Sequence, residues 1–169
     1  MTLPTNNPLG PSGIPPEDGR QSEAALDICR GATRLLRAHD FACLPEFTLP
    51  NGRRADIFAV SGKGAIWILE IKSSVADFRT DSKWPDYREF CDRLFFAVAP
   101  DFPIEILPDE TGLVLADRFA AAFEREAPEH TLPAARRKAL TLRFGRAAAD
   151  RLSLLADPAI KTEIGSGRL

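Results

Sequence analysis

Asp56, Glu70 and Lys72 lie in stretches that otherwise read as buried strand, "GRRADIFAV" and "AIWILEIKSS". Burying a charge is costly unless it is paired or binds a metal, so these three demand an explanation. Strand side chains alternate between faces, which groups Ile66, Ile68, Glu70 and Lys72 on one face of the second stretch. In the first stretch Arg54, Asp56, Phe58 and Val60 share a face. If the two strands pair through the turn "SGKG", a rise of about 3.3 Å per residue lets the two carboxylates converge on one point. Two such carboxylates repel each other, and one lysine neutralises only part of their charge. A divalent cation resolves the conflict, and carboxylate oxygens suit Mg²⁺ or Mn²⁺. Its ligands would be Asp56, Glu70, the carbonyl of Ile71 and waters. Lys72 beside it would orient a metal-bound water or stabilise charge on a phosphate oxygen. These are the parts of metal-dependent phosphodiester hydrolysis. The competing reading is an ion-paired cluster at a sheet end. A lone E-x-K is a weak pattern, whereas D-x(13)-E-x-K on a hairpin behind an N-terminal helix is far more specific.

The elements that must position these residues are legible. Ser22 is a candidate cap for a helix reaching about His39, with Ala25, Ile28 or Cys29, Ala32, Leu35 and Leu36 at helical spacing. "PEFTLP" and "RRADIFAV" read as hairpin strands around a two-residue turn at Asn51-Gly52. "AIWILEIK" is apolar on both faces and reads as a central strand. "SSVADFRTDSKWPDYREFCD" predicts a helix broken near Trp84-Pro85. "RLFFAVAP", "TGLVLAD" and "FAAAFEREA" predict further strands, the last two near an edge. "PAARRKALTLRFGRAAADRLSLL" predicts a closing helix with Pro133 in its first turn. Together they predict an α/β fold, a mixed sheet flanked by helices. One domain over residues 21–157 is expected, after a disordered tail at 1–20 and before a loose tail at 158–169.

Composition narrows the function. The chain has 169 residues, 44% of them hydrophobic, enough for one full core. No apolar run is long enough to span a membrane, and the N-terminus does not read as a secretory signal, so a cytoplasmic location is expected. Cys29, Cys43 and Cys91 lack CxxC spacing and read as reduced, buried thiols. His39 and His130 are too far apart in sequence to suggest a zinc site or a triad. Net charge is −2, but residues 133–155 carry Arg136, Arg137, Lys138, Arg143, Arg146 and Arg151 against Asp150 alone. Arg136, Arg137 and Lys138 are therefore candidates for phosphate contact, with a solvated helix face as the simpler alternative.

"RADIF" followed by "ILEIK" resembles the PD-(D/E)XK nuclease superfamily, and "IWILEIKSS" with "DSKWPDYREFCDRLFFAV" is similar to the MmcB-type DNA repair proteins of bacteria. The resemblance spans about residues 22–156. It implies a restriction-endonuclease-like fold, DNA as partner, a role in DNA repair and a Mg/Mn-dependent deoxyribonuclease activity, without a small-molecule cofactor. Other repair proteins and a second copy of the chain are further partners it allows. By position, Asp56, Glu70 and Lys72 match the superfamily's metal-binding and catalytic residues, while Ala55 stands where the superfamily has proline. The resemblance also places the helix after the central strand beside the site, which makes Lys83, Trp84, Tyr87 and Arg88 substrate-contact candidates. A further acid is left open among Glu23, Asp27 and Glu46. A two-residue turn would put Glu46 on the face opposite Asp56, and a bulge would reverse that. A DNA-binding accessory that keeps the fold without turnover is the alternative function.

Overall fold

Ser22 caps α1 (Glu23–Ala38), its side-chain oxygen accepting a hydrogen bond from the Ala25 N–H at 3.2 Å. The structure is a computed structural model and describes residues 22–160. The tail expected over residues 1–20, and all of the expected C-terminal tail beyond Ile160, lie outside the described residues. After α1 come β1 (Phe41–Thr48), β2 (Arg54–Ser61) and β3 (Ile66–Lys72), then the short α2 (Val75–Thr80) and a 3₁₀ helix (Trp84–Phe90). Then follow β4 (Arg93–Val98), a 3₁₀ turn (Ile104–Ile106), β5 (Gly112–Ala116), β6 (Ala121–Arg125) and α3 (Ala134–Ala156).

The six strands form one sheet in the order β1-β2-β3-β4-β5-β6. β2 pairs antiparallel with β1 and β3, β4 runs parallel to β3 and β5, and β6 returns antiparallel at the edge. This is the mixed, helix-flanked sheet that the sequence pattern predicts. The central strand does sit inside, and Ile66, Ile68, Leu69 and Ile71 are buried on its two faces. On one face α1 presses Ile28, Ala32 and Leu36 against Ile57, Leu69, Phe95 and Val114. On the other, the 3₁₀ helix and α3 cover Phe58, Ile66, Ile68 and Leu94 with Tyr87, Phe90 and Leu140. Burying a large apolar side chain stabilises by about 1.5–3 kcal/mol, so these two layers fix the sheet between its helices.

Two local features differ from the sequence reading. β1 begins at Phe41, four residues before "PEFTLP", because Asp40 takes a left-handed conformation (φ 64°) that turns the chain straight from α1 into the strand. The β1–β2 turn is also one residue longer than expected. Leu49 N–H donates to the Arg53 carbonyl at 2.7 Å and Gly52 N–H to the Leu49 carbonyl at 3.0 Å, leaving Pro50, Asn51 and Gly52 as a three-residue loop. Gly52 supplies the positive φ (82°) that such a loop needs. The register moves by one residue, to Phe47 opposite Ala55 and Thr48 opposite Arg54.

The break near Trp84-Pro85 is present, as the gap between α2 and the 3₁₀ helix. Cys29, Cys43 and Cys91 are free thiols, half-buried or buried. Burial pushes Cys29 up to about 11 and Cys43 up to about 12, and raises Cys91 as well, so none is poised as a nucleophile. Among the described residues no helix is long and apolar enough to cross a membrane.

Candidate metal and nucleic-acid site

The β2–β3 ladder runs from Val60↔Ile66 to Ile57↔Leu69 and stops one pair short of Asp56 and Glu70. There the two acids take over the hydrogen bonding. Asp56 N–H donates to Glu70 Oε1 at 3.3 Å, and Ile71 N–H donates to Asp56 Oδ2 at 2.7 Å. Each carboxylate thus binds the backbone of the opposite strand through one oxygen. The predicted convergence of Asp56 and Glu70 is present, and strand alternation plus the "SGKG" turn produces it.

Burial dominates the electrostatics of the two acids. Burial pushes Asp56 up to about 6, against the Ile71 N–H bond, and the Glu46 charge adds to the rise. Glu70 is buried and raised well above the usual carboxylate range, by burial first and by the Asp56 charge second. Lys72 is buried too, but its ammonium is engaged. Nζ donates to Asp81 Oδ2 at 2.6 Å, and this partner outweighs the downward pull of burial and raises the lysine. Burial alone would raise Asp81, yet the Lys72 and Lys83 N–H bonds hold it below its ordinary value. Asp81 ends the short α2 and was not a candidate from sequence; the only sequence signal for it is an acid just past a helix that follows a charged strand end.

The one-residue longer turn places Glu46 directly across from Asp56, between the pairs Pro45↔Ile57 and Phe47↔Ala55. Glu46 itself is left-handed (φ 51°) and forms an ion pair with Arg54. The longer turn, rather than a bulge, thus reverses the placement of Glu46 expected from a two-residue turn. Glu23 is exposed in the first turn of α1, and Asp27 pairs with Arg30 at 3.1 Å on the same helix.

Among the described residues no group of three or more His, Cys, Asp or Glu side chains is arranged as metal ligands. Two carboxylates nonetheless fit a hard cation. Mg²⁺ is commonly held by one or two carboxylates, with waters and substrate phosphates completing the shell. The donors are hard oxygens, and a cation would offset the burial that raises both acids and the Asp56 charge that adds to the rise of Glu70. Ile71 contributes its N–H to Asp56.

The other candidates are distributed more widely. Tyr87 is buried, and its hydroxyl donates to the Arg54 carbonyl at 3.0 Å, bracing β2 two residues before Asp56. Trp84 is half-buried, edge-on to Phe96 at 5.6 Å, with Arg88 stacked over it at 5.3 Å. Lys83 and Lys138 are exposed. Arg136 donates to the Glu89 carbonyl at 2.9 Å and lies over the Phe90 ring. Arg137 binds Asp92 with both nitrogens, at 2.5 and 2.7 Å, and reaches the Gly64 carbonyl at 2.8 Å. Farther along α3, Arg143 donates to the Thr48 carbonyl at 2.8 Å, and Arg151 to the carbonyls of Pro45 and Glu46 at 2.6 and 2.9 Å. Much of the positive charge on α3 therefore fastens the helix to the sheet.

Comparison with known proteins follows the same outline. A family model described as DNA repair protein MmcB-like matches residues 13–159. A solved structure of a protein of unknown function from Silicibacter pomeroyi superposes with a TM-score of 0.81 at 44% identity, covering 86% of this chain and 99% of that one. No curated protein sequence matches the chain.

Proposed function

The chain belongs to the MmcB-like DNA repair protein family, and from that premise we propose that it is a divalent-metal-dependent DNA phosphodiester hydrolase with a restriction-endonuclease-like, PD-(D/E)XK core. The observation that carries this reading is the reciprocal pairing of Asp56 and Glu70 across the open end of β2 and β3, with buried Lys72 one position beyond Ile71. Asp56, Glu70 and the carbonyl of Ile71 would hold Mg²⁺ or Mn²⁺. The cation, when bound, would lower the pKa of a water and offset charge on the scissile phosphate.

The chain's own residues do the rest. Asp56 and Glu70 fix the position of the site, because each is tied to the backbone of the neighbouring strand. Lys72 supplies a positive charge at the strand end, where it can orient a water or stabilise a phosphate oxygen once it leaves Asp81. Tyr87 keeps β2 in place through the Arg54 carbonyl, a supporting role rather than a direct contact. Lys83, Arg136 and Lys138 are exposed cations able to meet DNA phosphates.

The Lys72–Asp81 ion pair favours a second reading. A lysine committed to a neighbouring carboxylate is what a DNA-binding accessory without turnover would retain. One experiment separates the two. Wild type should bind Mn²⁺ by calorimetry and cut at least one member of a panel of branched, flapped, single-stranded and duplex DNAs. Asp56→Ala and Glu70→Ala should lose the metal, and Lys72→Ala should keep it while losing cleavage. Metal binding with no cleavage of any DNA selects the accessory. Absence of both metal binding and cleavage returns Asp56, Glu70 and Lys72 to a structural cluster.

A further inference from the structure

α3 does not lie flat on the sheet along its whole length. Between its middle turns and the β1–β2 hairpin is a shallow groove of about 480 Å³, open to solvent and lined by Phe47, Thr48, Leu142, Arg143, Arg146 and Arg151, among others. Its lining combines apolar side chains with three arginines and one acid. Two of the arginines are held in place by backbone carbonyls, Arg143 by Thr48 and Arg151 by Pro45 and Glu46. A guanidinium has five N–H donors, so each keeps donors to spare. Arg146 between them is exposed, and among the described residues its side chain has no hydrogen-bond or ion-pair partner. Asp150, the one acid in the lining, stands one turn from Arg146 without pairing with it.

We infer that this groove is a track for the phosphate backbone of DNA, with Arg146 as its free phosphate ligand and Arg143 and Arg151 as fixed flanking charges. Three features support a polymer backbone. The groove is open rather than enclosed, unlike the concave pockets that surround small ligands. Its single wholly aromatic lining residue, Phe47, is buried, so the surface offers charge without a ring on which to stack bases. And the groove is tied to the strand that faces the acidic site, because Arg151 in its lining grips the carbonyl of Glu46, the residue across from Asp56. Phosphate contacts of this kind position a nucleic acid without reading its sequence. The inference rests on the DNA reading above and locates its substrate path at Arg146, away from the Arg136–Lys138 end of the helix.

The test measures binding of labelled duplex and single-stranded DNA by fluorescence anisotropy, in chelator so that cleavage cannot intervene, across a salt series. For wild type the logarithm of affinity should fall linearly with the logarithm of salt. Arg146→Ala should weaken binding and reduce the slope by about 0.7 on the single strand and about 0.9 on the duplex, the value of one lost phosphate contact. Arg146→Glu should weaken it further. Arg118→Ala removes the same charge from the turn after β5, on the α1 side, and should leave the slope unchanged. All three should melt like wild type, since both side chains are exposed. An unchanged slope in Arg146→Ala, or an equal change in Arg118→Ala, overturns the track while leaving binding and cleavage by wild type intact. Failure of wild type to bind any DNA overturns the track and the DNA reading together.

Discussion

Asp92 and Arg137 meet in a two-pronged ion pair, 2.5 and 2.7 Å, beneath the turn that joins β2 to β3. Asp92 also accepts the N–H groups of Ile66 at 2.8 Å and Leu132 at 3.0 Å, and Arg137 reaches the Gly64 carbonyl. The start of α3, the start of β4 and the β2–β3 turn are thus fastened at one point. Removing one partner of such a pair leaves a buried charge uncompensated. Arg137→Ala should lower unfolding free energy by about 3 kcal/mol, the low end for a buried pair because the guanidinium is partly exposed. Arg137→Lys should recover little of it, since an ammonium cannot reproduce the planar fork. Urea denaturation of the three proteins measures this, and a loss below about 0.5 kcal/mol would make the pair a mere surface bridge.

The buried acids give stability a pH dependence of opposite sign at the two ends of the sheet. Asp56 is pushed up to about 6 by burial and Glu70 is raised as well, whereas free carboxylates titrate near about 4. Between roughly pH 4 and pH 6 the folded chain holds more protons at these two sites than the unfolded chain, so their contribution to stability falls as pH rises. Burial would raise Asp92 too, but Arg137 and the Ile66 and Leu132 N–H groups outweigh it and hold Asp92 low. Its contribution is complete above about pH 4 and is lost as pH falls through the depressed folded value. In chelator, unfolding free energy should decline from about pH 4 to about pH 6. Glu70→Gln should flatten that decline, and Asp92→Asn should leave it while reducing the acid-side loss.

Gly31 in α1 is a contact point rather than a flexible one. A Cβ there would press on the Asp117 carbonyl oxygen and lie 2.6 Å from that of Ala120, both in the β5–β6 turn. Because the obstacle is backbone, Gly31→Ala must push α1 off the sheet edge and should cost about 1–3 kcal/mol despite alanine's better helix propensity. Gly145→Ala in α3, where a Cβ would meet nothing, should be neutral or stabilising. Thermal melts of the pair decide it, and equal melting temperatures would count against the close approach.

Much of this was legible because it follows from period and punctuation. Strand alternation, the "SGKG" turn and the D-x(13)-E-x-K spacing bring Asp56 to Glu70 as expected, and Pro85 marks the break before the 3₁₀ helix. What was not legible depends on partners far away in sequence. Asn51-Gly52 signals a turn but not its length, and the extra residue moved Glu46 to a place opposite Asp56. Nothing in the sequence says that Lys72 is met by Asp81, or that Asp92 waits for Arg137 from 45 residues away. The basic run on α3 announces charge, but not that Arg137, Arg143 and Arg151 use it on backbone and side-chain acceptors of the sheet.

Where the β2–β3 ladder ends, the amides of Asp56 and Ile71 are held by carboxylates in place of carbonyls. A carboxylate is a conditional partner, since protonation or a cation competes for its electrons. Ligands ordinarily slow amide exchange by stiffening what they touch. Here, drawing Asp56 and Glu70 toward a bound cation should loosen their grip on the facing strand, so these two amides should exchange faster on loading while Ile57 and Leu69 stay protected. The strand end would then behave as a seam that opens a little whenever the acids are put to use.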